Sequence, residues 1–265
     1  MGFKDINLEF ENNDVCVSWR GVSFRAGEEF SYFLQNQVRN RLDDVEETED
    51  LRIHLRGLEL TGMGSESLEA VLSSTVPENR DWAAGEALAE AYLIRTEKFI
   101  FPWNMNRDKR NPSASLPGVD LVGFISDNTG YQLALGEVKT SSERASPPKV
   151  MSGRHPGMAH QIDKLASDMT AICQIISWLR SRIMGGEFQA AFESSCLRYF
   201  NSGNKSVALF GVLVRDTQPD ERDLSGRGNE LRQKLVSPTR CNLVALYIPC
   251  PIDQLVVEIR SGGDS

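Results

Sequence analysis

VDLVGFI (119–125), SDNTG (126–130) and YQLALGEVKT (131–140) are two runs rich in aliphatic and aromatic residues around a polar turn. Runs of this kind on either side of Asp-Asn-Thr-Gly predict an antiparallel hairpin. Alternate side chains of a strand share a face, so Glu137 and Lys139 project together on either side of Val138. If the hairpin pairs in register, Asp120, 17 positions before Glu137, lies beside them. Two carboxylates then meet one ammonium in strands whose other members are residues such as Leu133, Leu135 and Val138. A lone charge there is costly unless it is paired or bound to a metal.

Upstream, DWAAGEALAEAYLIRTE (81–97) opens with a capping residue and spaces Leu88, Ala91, Tyr92 and Arg95 by three and four, which predicts a helix packed on a sheet. FIFPWNMNRDKRNPSASLPG (99–118) reads as a short extended segment followed by a loop. Downstream, Ile162, Leu165, Met169, Ile172, Ile176 and Leu179 form one stripe, which predicts a long helix over 158–183 covering one face of the sheet. VALFGVLV (207–214) and CNLVALYIP (241–249) predict inner strands, with ERDLSGRGNELRQKL (221–235) partly helical between them. The order helix, hairpin, helix, strand, helix, strand predicts an α/β fold with a mixed central sheet flanked by helices. Before it, apolar alternation over 15–18, a helix-like stretch over 30–42 and a short helix with Ser65 as its cap suggest a smaller α+β region. The expected division is therefore 1–80 and 81–265.

Composition narrows the function classes. At 265 residues, with 40% hydrophobic and 25% charged, the chain matches soluble globular proteins and exceeds the usual single-domain length. It has no run of about 18 apolar residues, and acids stand where a secretory leader needs a basic start, so a cytoplasmic protein without a membrane span is expected. Cys16, Cys173, Cys196, Cys241 and Cys250 are odd in number and scattered, which gives neither a disulfide framework nor a zinc site. His54, His155 and His160 lack ligand spacing, and no GxxxxGK[ST] loop is present, which disfavours zinc hydrolysis and a nucleotide-driven motor. A net charge of −8 argues against coating nucleic acid by bulk electrostatics, so any such contact must be local or assisted by a partner. The acid run Asp43, Asp44, Glu46, Glu47, Glu49 and Asp50 reads as a solvated loop or an interaction edge.

Two carboxylate oxygens at one point suit Mg²⁺, which keeps several waters and takes further ligands from a substrate phosphate; the Val138 carbonyl is a third candidate oxygen. The cation would polarise the phosphate, and Lys139 would orient water or offset charge. A buried Asp120–Glu137–Lys139 salt-bridge network is the other arrangement the same residues allow. PGVD, GEVK and the GEALAE helix resemble the PD-(D/E)xK nuclease superfamily over about residues 81–183. The resemblance implies a restriction-endonuclease-like fold, with Asp120, Glu137 and Lys139 in the metal-binding and catalytic positions. It places Glu86 as the auxiliary metal carboxylate, with Glu90 one turn on as its rival, and Gln161 in GMAHQIDKL as a further site residue. Gly118, between Pro117 and the Val-Asp pair, departs from the bare motif.

DWAAGEALAEAYL, LPGVDLVGF, LALGEVKTSSERASPP and GMAHQIDKL together are similar to the HamA family, the nuclease subunits of Hachiman-type bacterial anti-phage defence. That similarity implies a Mg²⁺-dependent deoxyribonuclease, with Mn²⁺ able to substitute, that is held inactive by a HamB-like helicase partner engaged through residues 1–80. A non-catalytic scaffold that keeps a degenerate nuclease fold is the alternative. Arg95, Lys98, Arg107, Lys109 and Arg110 before the hairpin and Arg144, Lys149 and Arg154 after it would make a positive rim able to grip DNA phosphates, or else are solvated loop charges. Trp103 is a candidate for base stacking or for the core.

Overall fold

The computed structural model describes residues 6–58, 61–73, 80–108, 118–152 and 157–261. Six strands form one sheet: β1 (Ile6–Asn12), β2 (Val17–Phe24), β3 (Leu121–Asp127), β4 (Gly130–Ser141), β5 (Val207–Arg215) and β6 (Arg240–Tyr247), in the order β1-β2-β6-β5-β4-β3. The four inner strands run parallel, while β1 and β3 pair antiparallel at the edges. β5 is buried at every position, as a strand covered on both faces must be.

The helices are α1 (Glu28–Tyr32), α2 (Arg39–Asp43), α3 (Val45–Arg56), α4 (Gly62–Ser73), α5 (Asp81–Glu97), α6 (Lys149–Ser152), α7 (Met158–Ser167), α8 (Met169–Ile183), α9 (Gln189–Asn201), α10 (Arg222–Lys234) and α11 (Leu255–Arg260), with a π-helical turn over Phe33–Val38. One face of the sheet packs through Val22, Phe24, Val138, Phe210 and Val212 against α5, the segment around Phe33 and α11. The other packs through Trp19, Leu133, Leu135, Leu209 and Leu213 against α7, α8, α9 and α10. The fold is thus α/β, a mixed sheet between two helical layers.

The hairpin and the 81–97 helix lie where the sequence predicts them, and the strands expected over 207–214 and 241–249 appear as Val207–Arg215 and Arg240–Tyr247. The expected extended segment is present as a bridge between Ile100 and Phe124 on the outer edge of β3. Several expectations change. Helix α4 begins at Gly62, so Ser65 lies inside it and not at its cap. The long helix over 158–183 is broken at Asp168, whose side chain accepts the Ala171 N–H at 3.0 Å and starts a new helix; Met169 is consequently 52% exposed and leaves the stripe. Helix α9, unread in the sequence, buries Ala191, Phe192, Ser195 and Tyr199; small and polar members disguise its stripe. The division at residue 80 does not separate two sheets, because β2 runs parallel to β6 with Val17 opposite Cys241, and Phe30, Phe33 and Leu34 join the same core as α5. No helix among the described residues is long and apolar enough to cross a membrane.

Candidate active site

β3 and β4 pair with Leu121 opposite Gly136, so Asp120, just before β3, falls across from Glu137. Asp120 Oδ2 accepts the Val138 N–H at 2.8 Å, and Lys139 Nζ donates to Glu137 Oε1 at 2.5 Å. The three polar residues predicted to converge are therefore brought together. Val138 meets the site through its amide. Gly136 makes the approach possible, since a Cβ there would stand 2.4 Å from the Phe210 carbonyl oxygen of β5. Gly85 does the same for α5: its Cβ would stand 2.1 Å from Thr140 Oγ1 on β4, so the helix carrying Glu86 lies directly on the strand.

Glu137 is only 3% exposed; its Oε2 is buried and receives no N–H or hydroxyl donor among the described residues, and the Glu137 side chain shares a hydrogen bond with the Asp120 carboxyl when one of the two is protonated. Burial first, and then the neighbouring charge of Asp120, push the Glu137 carboxyl up to about 7 despite the opposing effect of Lys139. Asp120 is raised as well, by burial against the stabilising Val138 amide and Lys139. Two close, desolvated carboxylates resist simultaneous ionisation, and a cation between them removes that conflict.

Two hollows flank this pair and meet at Met105 and Val119. On the α5 side, Asp120 borders a hollow with Glu86 and Glu90. Glu90 receives Arg41 Nε at 2.5 Å; its pKa is raised by burial against the pull of Arg41, with a further push from Asp120. The two candidate auxiliary carboxylates thus share the Asp120 hollow and not that of Glu137. Among the described residues, no three His, Cys, Asp or Glu side chains form a metal-holding group.

On the α7 and α8 side, Glu137 and Gln161 line a hollow of about 340 Å³ with Lys164, Trp178 and Arg182. Its rim holds a cluster that sequence reasoning missed. Asp108 accepts Trp178 Nε1 at 3.0 Å and Arg182 Nη2 at 2.8 Å, and the Arg182 guanidinium lies 4.4 Å from the Trp178 ring centre. Trp178 and Arg182 stand one helical turn apart on α8, the only trace of this cluster in the sequence.

Among the described residues, three of the five expected rim cations pair with the chain's own acids. Arg107 pairs with Asp44 at 2.7 Å and Glu47 at 3.2 Å, Arg95 with Glu29 at 3.0 Å, and Lys149 with Glu143 at 3.5 Å. Lys98 and Arg144 are exposed. Lys109, Arg110, Arg154, Pro117 and His155 lie outside the described residues. Trp103 packs with arginines, Arg107 at 5.0 Å and Arg182 at 5.8 Å from its ring centre. No family model matches the chain, and no curated protein matches it.

Proposed function

We propose that this chain is a divalent-metal-dependent deoxyribonuclease of the PD-(D/E)xK type, with a restriction-endonuclease-like sheet. The observation that carries the reading is the buried pair Asp120 and Glu137, with Glu137 Oε2 given no N–H or hydroxyl donor among the described residues and Lys139 alongside. Hard oxygen donors of this kind fit Mg²⁺ or Mn²⁺, and two carboxylates suffice for a cation that keeps most of its waters. Asp120, Glu137 and the Val138 carbonyl would hold it, with Glu86 adding a carboxylate from α5. When bound, the cation supplies charge for the scissile phosphate and acidity for the attacking water. Lys139 would donate to a phosphate oxygen and offset the charge that gathers there. Gln161 and Lys164 border the same hollow as Glu137, where they can orient the strand.

The narrower reading, a HamA-like subunit of a Hachiman-type defence complex held inactive by a helicase partner, is supported by the four sequence motifs quoted above. Co-purification of the native complex, followed by cleavage assays before and after dissociation, tests it. A second reading, a non-catalytic scaffold, is favoured by the closure of Lys139 on Glu137 and of Arg41 on Glu90, which resembles a structural ion-pair network. Incubation of the purified protein with DNA and Mg²⁺ or Mn²⁺ separates the two. Cleavage is expected, with Lys139→Met and Glu137→Gln each slowing it about 10²–10³-fold while the far-UV spectrum is unchanged. Undiminished cutting by both variants, or the lack of both cleavage and any Mn²⁺-dependent thermal shift, would remove the hydrolytic reading.

A further inference from the structure

The hollow beside Glu137 is larger than a metal and its waters require, and most of its wall is apolar. Its volume of about 340 Å³ sits at the small end of ligand pockets, about 300–1,000 Å³, which suits one base and its sugar. Trp178 and Ile175 supply flat apolar surface, and Arg182 covers one face of the Trp178 ring while Asp108 fixes both groups in place. Gln161 and Gln174 also line the hollow, and neither amide is engaged by another described residue, so each offers a donor and an acceptor to a base edge. Glu137, whose carboxylate would meet the phosphodiester, lines the same hollow.

We propose that this hollow receives one unpaired nucleobase of a DNA strand whose adjoining phosphodiester lies at Glu137, which makes single-stranded or frayed DNA the substrate class. The assignment rests on the nuclease reading above. A base inside a duplex has its faces stacked and its edge paired, and extruding it is costly, whereas a base in a single strand enters without that cost. Stacking tolerates every base because each has a π-face, so the site selects unpaired strands without selecting sequence.

Binding measured in EDTA by fluorescence anisotropy isolates the hollow from catalysis. A short single-stranded oligodeoxynucleotide is expected to bind about tenfold or more tightly than the same strand made abasic, and than a blunt duplex of the same sequence. Ala171→Phe, which adds a ring from the half-buried rim at the start of α8, should bring the intact strand down to the abasic level and leave duplex binding unchanged. Equal affinity for intact and abasic strands by the wild-type protein overturns the proposal, and that arm needs no variant to fold. Cleavage of both DNAs with Mg²⁺, run in parallel, tells the two readings apart. Cutting without base-dependent binding removes the pocket and leaves the nuclease; base-dependent binding without cutting removes the nuclease and leaves a pocket for single strands.

Discussion

Glu137 is destabilising for the metal-free fold. Its carboxyl is raised from 4.5 to about 7, so between those values the folded chain holds a proton that the unfolded chain has lost. Stability is greatest below the lower value and falls as pH rises towards the upper one, by about 3 kcal/mol at most, and Asp120 shifts in the same sense. Urea unfolding in EDTA at about pH 5 and about pH 8 should therefore show the wild type weaker at the higher pH. Glu137→Gln should flatten that dependence and exceed the wild type at about pH 8, and Mg²⁺ should restore the wild type but not the variant. A wild-type protein that gains stability over this range would contradict the buried pair. The positions of Glu137 and Lys139 were legible in the sequence because a period of two is a local property, and Asp120 because a hairpin needs only its turn. Asp108 was not: it acts through Trp178 and Arg182, some 70 positions away, and nothing local in the NRDKR loop marks it as their partner.

At the scale of elements, the site depends on how closely β4 approaches its neighbours. Gly136→Ala would drive a methyl group against the Phe210 carbonyl oxygen, which the β5 ladder holds in place, and against Leu121 at 3.0 Å. A loss of about 2–3 kcal/mol is expected from thermal or urea unfolding, larger than for a small addition at a yielding contact. On the proposed function, cleavage per folded molecule should fall as well, because the strand that moves carries Glu137. Wild-type stability in this variant would mean that β4 and β5 are farther apart than described. The requirement for glycine here could not be read from GEVK, since the obstructing atom belongs to Phe210 on β5, far along the chain. By contrast, α5 spans 81–97 as predicted, because its apolar and small buried residues are contiguous in sequence, although Asp81 does not cap it: the cap position falls on Arg80, which makes no side-chain cap. The break at Asp168 was hidden by an apolar stripe that runs through it, although the residue is a good cap on its own chemistry.

For the molecule as a whole, the first strands matter more than their sequence suggests. Ser18 Oγ donates to Asn242 Oδ1 at 2.6 Å, 224 positions away, and parallel pairing over that separation leaves no local signature. Removing residues 1–80 would strip Val17, Trp19, Val22, Phe24, Phe33 and Leu34 from the core, each contributing about 1.5–3 kcal/mol by burial. Their sum matches or exceeds the usual net stability of about 5–15 kcal/mol, so the 81–265 fragment should fail to fold alone and should aggregate through the bared edge of β6. A sharp thermal transition and a monomeric elution profile for that fragment would show that the first strands are dispensable. The pairing of Arg95 and Arg107 with Glu29, Asp44 and Glu47 has its own outcome for ionic strength. If the chain binds DNA as proposed and a phosphodiester reaches these guanidinium groups, it replaces a carboxylate already there, so one anion is exchanged for another and few small ions are set free. Affinity for DNA should then decline with added salt much more gently than the number of nearby cations implies.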